Sequence, residues 1–536
     1  MEKSMILTDV TKCVGCNKCI SKCPTLANEA QLIENQNKIH VIDQQCIACG
    51  ECIHICDHNA RTIEDDTEAF FADLKNGKKI SVVVAPAARY NFADVGKLFG
   101  FLKSCGVHLI YDVSYGADIT TWAYIKAIKE HHLTSIIAQP CPVIVSYIEH
   151  FQSGLIDSLA PIHSPALCTA IYLNKYKNVT DQIAFLSPCI AKSIEFHDEN
   201  TSEFISYNVT YVGLKQYFEK HNINLREYKS LPFDNIDGSM GMTFSRPGGL
   251  KENVYFYLGS DVWVKQIEGI AHVKEYFKEY EKDRDTHKPL PLLVDVLNCV
   301  QGCNFGTGTS NSFTANEVDH RTNCAKSAVT KEDGAKVFSY FDEHLKLSDF
   351  ARTYTDKSAS IPEDNVHEVE AIYLSLGKTT EESRHINCFS CGYGSCEKFA
   401  TAVANGHNHI SNCINYSRNK LTEALMDFNS AFDFLKMRVD KTNVDLIGFQ
   451  NASDSLQEIA LFIKIISLNA SIEAAHAGVA GKSFAVVATE IKNLSEKSSD
   501  IISNIGINKD NIKNSIHDLA TSLENIRAQM RALSHE

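Results

Sequence analysis

Nineteen cysteines in 536 residues are the chemical signature of this chain, and most of them sit a few residues apart. Cys13, Cys16, Cys19 and Cys23 form a C-x2-C-x2-C-x3-C run, with Pro24 after the last. Cys46, Cys49, Cys52 and Cys56 repeat it, with Asp57 in place of the proline. That spacing winds backbone around an iron–sulfur cubane so that three thiolates reach three irons while the fourth crosses to the other cluster. Cys13, Cys16, Cys19 and Cys56 are therefore expected to hold one 4Fe-4S cluster, and Cys46, Cys49, Cys52 and Cys23 a second. A pair of zinc sites is the competing use of such sulfur. Two clusters this close conduct electrons.

Four more cysteines stand on separated loops. Cys141 lies in Gln139-Pro140-Cys141-Pro142, Cys189 in Ser187-Pro188-Cys189 with Lys192 and Glu195 just beyond, and Cys299 and Cys303 in Leu297-Asn298-Cys299-x3-Cys303. Four thiols on three strand-end loops can converge on one cubane, and the glycines around Cys303 admit a bulky group close to backbone. A compact third set, Cys388-x2-Cys391-x4-Cys396-x16-Cys413, offers four more thiolates. It suits one further 4Fe-4S cluster, with structural zinc as the alternative. Cys105 and Cys324 carry no pattern, and Cys168 reads first as a buried core thiol.

The elements that must position these groups follow from periodicity. Between residues 80 and 370, apolar β-branched runs alternate with amphipathic stretches. IAFLSPC, TSIIAQPC and PLLVDVLNC read as strands ending in cysteine loops, and Ser81–Ala88 as a buried strand. Phe92–Cys105 and Ser164–Lys177 read as helices between them, giving an α/β core with reactive loops at the carboxyl ends of strands. His287–Pro291 and Thr355–Val366 are expected linkers. From Leu421 the pattern becomes heptad: Leu421, Leu425, Phe428, Phe432, Leu435 and Val439, resuming at Phe484, Val487, Ile491 and Leu494. It breaks once, near Gly478–Gly481, with some 50 residues on either side, predicting two antiparallel helices of about 75–80 Å.

The expected division is therefore 1–75, a ferredoxin-like two-cluster domain; 76–360, the α/β core; 361–420, the four-cysteine domain; and 421–536, an antiparallel α-helical coiled-coil hairpin. The formal net charge of −14 argues against a nucleic-acid-binding surface. No apolar run is read as reaching the roughly 18 residues of a membrane span, and no signal peptide opens the chain. With cysteines clustered for chelation rather than cross-linking, the expected compartment is the reducing cytoplasm.

Several segments resemble known families. Residues 13–56 look like a bacterial two-cluster ferredoxin module. The core resembles the large-subunit catalytic domain of the FeFe hydrogenases, whose signatures are TSCCPxW, MPCxxKxxE and ExMACxGGCxxGGG. The second is best kept here, the third recognisable, the first degraded. Tyr111–Thr120 and Pro247-Gly248-Gly249 share the likeness, which spans roughly residues 80–350. The resemblance implies that Cys141, Cys189, Cys299 and Cys303 hold the 4Fe-4S half of an H-cluster. It implies that Cys303 bridges to a di-iron unit, Lys192 donates to a cyanide ligand of that unit, and Glu195 orients Lys192 or its loop.

Three departures bear on activity. Pro140 replaces the family's relay cysteine, Thr121-Trp122-Ala123-Tyr124 stands where its glutamates lie, and Ser187 and Leu297 replace its two methionines. Losing a general acid costs about 10²–10⁴-fold in proton transfer, so low turnover is expected. Cys168 is the candidate substitute, because family members approach the cofactor there.

Residues 388–413 resemble a small 4Fe-4S domain of electron-transfer and corrinoid proteins. Residues 467–492, with Asn469, Glu473, Gly478, Gly481 and Glu490, resemble the cytoplasmic tip of methyl-accepting chemotaxis receptors. His476 stands where that family usually has arginine, and Val479 where it has glutamate. The likeness implies a histidine kinase and adaptor as partners and a homodimer through the hairpin. H2 or protons and a redox partner such as ferredoxin complete the expected partners. The combined reading is a sensory hydrogenase-like protein. Its competitors are a metabolic hydrogenase with a docking coiled coil and a non-catalytic cubane scaffold without the di-iron unit.

Overall fold

Each doubled cysteine run turns into a short helix, Lys18–Lys22 or Glu51–His54. Around them β1 (Ile6–Thr8) pairs antiparallel with β4 (Arg61–Ile63), and β2 (Asn28–Ile33) with β3 (Gln36–Val41). In this computed structural model the described residues are 5–201, 203–235, 238–311, 313–360, 365 and 367–533. The chain divides into two compact units, Met1–Ile414 and Asn415–Glu536.

The rest of the first unit is built on two parallel sheets. Its strands are β5 (Ile80–Val84), β6 (Ile110–Asp112), β7 (Ile136–Ile137), β8 (Gln182–Ser187), β9 (Tyr207–Thr210), β10 (Val264–Glu268) and β11 (Leu293–Leu297). One sheet has the order β6-β5-β8-β9 and the other β10-β11-β7. The run ISVVV of β5 is buried throughout, as a parallel strand covered on both faces requires. Helices Val95–Ser104 and Pro165–Lys177 occupy the two expected helical stretches. The strand expected over Ser81–Ala88 ends at Val84, because Pro86 has no N–H for the ladder and the chain turns into the helix Ala88–Asn91. TSIIA contributes only two paired residues. His287–Pro291 joins the helix Ile270–Asp285 to β11 within the core. Of Thr355–Val366, Lys357 is tied to Glu149 at 2.9 Å and Asp198 at 2.6 Å, while 361–364 and 366 lie outside the described residues.

The second unit holds most of two long helices, Ile414–His476 and Lys482–Leu533, joined through the turn Gly478–Gly481. At 63 and 52 residues they run about 95 and 78 Å. The first starts seven residues earlier than the heptads indicate, since nothing in INYSRNK breaks a helix. The pair is antiparallel: Ser495 Oγ donates to Ala460 O (2.5 Å), Lys464 meets Glu496 (3.2 Å), and Arg527 lies 4.8 Å over the Phe432 ring. These pairings fall symmetrically about the turn. Two helices cannot cover all their apolar residues, and Phe434, Phe462, Leu468, Phe484 and Val487 stay exposed. Contrary to the reading of the sequence, one stretch of Ile414–His476 is apolar enough to cross a membrane by length and composition, with a mean hydropathy of 1.4 over 18 residues. The helix is about three times the roughly 20 residues a span needs, and the same apolar residues follow the heptad of a helical bundle.

Candidate metal centre

β7, β8 and β11 all run parallel in their sheets, and each ends in a cysteine loop. Cys141 caps the helix Pro142–Phe151 after β7, Cys189 follows β8, and Cys299 and Cys303 follow β11. The ends of two different sheets therefore meet at one site. Cys141, Cys189, Cys299 and Cys303 line a single cavity of about 770 Å³, together with Lys192 and Pro140. Gly308 N donates to Pro188 O (2.8 Å) and Ile190 N to Thr307 Oγ1 (3.1 Å), stitching the Cys189 and Cys303 loops together. Gly302 has φ +72°, and a Cβ there would fall 2.7 Å from Ser245 O, so only glycine fits between the two cysteines.

Burial pushes the Cys303 thiol up to about 12, with the fields of Cys141 and Cys189 adding to it, and pushes Cys189 up to about 11. Four such sulfurs cannot ionise together without a bound positive centre. The donor set fits a cubane.

Lys192 and Glu195 sit one helical turn apart on Lys192–His197 and form a buried ion pair. Lys192 Nζ also donates to Ser164 Oγ (3.3 Å). An ammonium has three donors, so the third remains for the cavity. Glu195 accepts in addition from Arg352 Nη1 at 2.9 Å. Burial works against its carboxylate, but Lys192 and Arg352 outweigh that and hold it below the usual range. Arg352, Ser164, Ser245 and Asn298 are site residues that the sequence reading missed. Only Asn298 carried a local signal, as a polar residue beside a ligand. Ser245 lines the cavity, is 5% exposed, and leaves its hydroxyl without a partner.

Cys168 is not brought to the cavity wall. It packs in the core, donates to His163 O (3.3 Å), and burial raises its thiol to about 12. Tyr124 bonds Gln139, and Trp122 Nε1 donates to Asp342 at 3.0 Å, so neither offers a carboxyl group at the glutamate positions. Ser187 closes on its own loop, its Oγ 2.9 Å from Cys189 O.

Cys23, Cys46, Cys49 and Cys52 line a smaller cavity of about 290 Å³. Ala27 N donates to Cys23 Sγ at 3.2 Å. In the other set, Cys13 and Cys16 lie close enough to oppose ionisation of Cys19, which burial already disfavours, and Arg61 Nη2 donates to Cys19 Sγ at 3.4 Å. Ala60 N donates to Cys56 Sγ at 3.4 Å.

The third set packs on this module rather than beside the core. Asn17 Nδ2 donates to Ser390 O (3.1 Å) and Asn412 Oδ1 (2.8 Å), and Ala30 N to His407 O (2.9 Å). Cys391 feels both Cys388 and Cys413, after the dominant effect of burial, while Cys396 opens the helix Cys396–Ala404. On the same module, Asn298 Nδ2 donates to Cys49 O at 3.2 Å. The four cysteine sets therefore succeed one another through direct contacts. Among the described residues no three His, Cys, Asp or Glu side chains converge on a single-ion site, whereas a cubane spreads its ligands over several irons.

Residues 78–307 match the family described as iron only hydrogenase large subunit, C-terminal domain. Residues 5–57 match a 4Fe-4S dicluster domain, 385–414 a putative Fe-S cluster, and 400–535 the methyl-accepting chemotaxis protein signalling domain. The chain is thus a mixed α/β hydrogenase-like core joined to iron–sulfur segments and a chemotaxis-type helical hairpin. It is 25% identical over 455 residues to the nuclear prelamin A recognition factor of Xenopus laevis, covering 68% of this chain and 92% of that one. It is 29% identical over 214 residues to the periplasmic [Fe] hydrogenase large subunit of Nitratidesulfovibrio vulgaris, covering 35% of this chain and 50% of that one. It is 38% identical over 86 residues to the methyl-accepting chemotaxis protein McpC of Bacillus subtilis, covering 15% of this chain and 12% of that one. The chain thus spans about half or less of the hydrogenase and chemoreceptor relatives. A variant of FeFe hydrogenase HydA1 from Chlamydomonas reinhardtii superposes with a TM-score of 0.43 at 17% identity, over 54% of this chain and 98% of that one.

Proposed function

We propose that this chain is a cytoplasmic sensory hydrogenase-like protein that reports H2 or redox state to chemotaxis-type signalling proteins. The observation that carries the reading is one cavity lined by four cysteines and Lys192, in a chain whose residues 400–535 match a chemotaxis signalling domain. Cys141, Cys189, Cys299 and Cys303 would hold an H-cluster. The di-iron half supplies reversible chemistry between H2 and protons when bound. The third donor of Lys192 would bond a polar ligand of that group, and Glu195 orients Lys192 through their ion pair. Pro140 lines the cavity and can carry no proton. Cys168 is proposed as a slow donor behind the wall formed by Pro165 and Ala166, its thiol held protonated by burial. Low turnover suits a sensor, whose output is a state rather than a flux.

The contacts support an electron route from the central cavity through Cys23, Cys46, Cys49 and Cys52, then Cys13, Cys16, Cys19 and Cys56, to Cys388, Cys391, Cys396 and Cys413. Cys413 stands immediately before the first long helix. A change of cluster charge there biases the helix start, a two-state element that hairpin packing can read out. We assign 1–75 and 361–420 as the two iron–sulfur domains, 76–360 as the hydrogenase-like core and 421–536 as the signalling hairpin, with a second copy completing a four-helix bundle.

The second reading is a non-catalytic cubane scaffold without the di-iron unit, favoured by Pro140, which lines the cavity and carries no ionisable group. Reconstituted full-length protein, mixed with a chemotaxis-type histidine kinase and adaptor, separates the two. Kinase phosphorylation should change when argon is replaced by H2. Identical rates under both gases, with complete cluster content, would remove H2 sensing.

A further inference from the structure

The carboxamide of Asn298 touches two cysteine sets at once. Its side chain is 3% exposed and lines the central cavity. Nδ2 donates to the backbone carbonyl of Cys49 at 3.2 Å, and lies 3.7 Å from Cys299 Sγ. Oδ1 has no partner. At the same junction Gly50 presses on Thr307, where a Cβ would fall 2.3 Å from the Thr307 methyl, and Thr307 Oγ1 in turn lies 4.0 Å from Cys189 Sγ. The two sets thus meet backbone to side chain, with one buried amide as the polar link. A buried amide at the junction of two cysteine sets, with one of its atoms unsatisfied, needs a compensating role.

We infer that Asn298 is a positioning residue that sets the reduction potential of the central cubane relative to the neighbouring cluster. An N–H directed at a ligating sulfur stabilises the more negative, reduced cluster and raises its potential. The same amide anchors Cys49 O, so the dipole that tunes one cluster is fixed by the backbone of the other. Asn298 therefore biases where an electron resides, which for a sensor is the quantity reported. This rests on the reading that Cys141, Cys189, Cys299 and Cys303 hold a cubane.

The test uses reconstituted full-length protein and potentiometric titration followed by electron paramagnetic resonance. Asn298→Ala and Asn298→Leu both delete the donor, the second while keeping most of the volume. Both should lower the midpoint of the central cubane, so that its reduced-to-oxidised ratio at the wild-type midpoint falls at least threefold (tenfold corresponds to 59 mV for one electron). The midpoint of the cluster assigned to Cys13, Cys16, Cys19 and Cys56 should not move. An unchanged central midpoint at full iron content overturns the inference alone. A loss of iron with no shift in the clusters that remain also overturns it, since that marks a packing role. Wild-type protein labelled with 15N in its asparagine side chains gives a readout independent of folding variants. A nitrogen hyperfine coupling to the central cubane is expected, and its absence overturns the inference. If wild type shows no central cubane signal at all, the underlying cofactor reading fails with it.

Discussion

Glu195 is the hinge of the buried charge network. It sits between Lys192 and Arg352, and all three side chains are largely buried. Glu195→Gln preserves the shape but leaves two cations without a counter-charge. Breaking a buried ion pair by removing one partner costs about 3–5 kcal/mol, a large part of a typical net stability of about 5–15 kcal/mol. At roughly 2 °C per kcal/mol for a large domain, the melting temperature of the first unit should fall by about 6–10 °C. Tryptophan fluorescence reports that unit selectively, because both tryptophans, Trp122 and Trp263, lie within it. Lys192→Met is the contrast: it leaves Glu195 on Arg352 and should cost distinctly less. The pH dependence follows from the Glu195 carboxyl being held below its usual range. Its stabilisation is complete above its ordinary value of 4.5 and is lost as pH falls through the lower folded value. The gap between wild type and Glu195→Gln should therefore close in acid. Equal melting of the two proteins at pH 7, or a gap that widens below pH 4.5, would refute the reasoning.

Arg61→Leu removes the N–H donated to Cys19 Sγ at 3.4 Å and a buried positive charge, so the midpoint of that cluster should fall in a redox titration. Phe462 is 64% exposed on the helical pair, as the face of a bundle partner requires. Phe462→Glu should weaken the proposed dimer, since burial of one such ring contributes about 1.5–3 kcal/mol and a symmetric dimer buries two. A dissociation constant raised about 10²–10⁴-fold in sedimentation equilibrium is expected, with helical content unchanged.

How much of this was legible in the sequence depends on the reach of each signal. The ferredoxin-type spacing, the strand-end cysteine loops and the heptads are local patterns, so the α/β core and the helical pair were readable from residues alone. Arg352 was not, because its partner Glu195 lies 157 residues away and an ion pair leaves no spacing in the chain. The docking of Cys388–Cys413 on the amino-terminal module was hidden for the same reason, since Asn17 and Asn412 are 395 residues apart. Sequence order placed that set between the core and the helices, whereas tertiary contact places it beside the first cysteine run. Cys168 packs in the core, as its apolar surroundings in the sequence first indicate, and its distance from the cavity wall is a tertiary fact that no local pattern carries. β7 is shorter than its apolar run because only two of its residues find a partner on β11.

The central claim is that Cys141, Cys189, Cys299 and Cys303 enclose a hydrogenase-type centre. Infrared spectroscopy of matured full-length protein tests it most directly. Bands of terminal carbonyl and cyanide ligands are expected, with the cyanide bands shifting in Lys192→Met. A matured protein with complete iron–sulfur content and no such bands would contradict the account and leave the scaffold reading in its place.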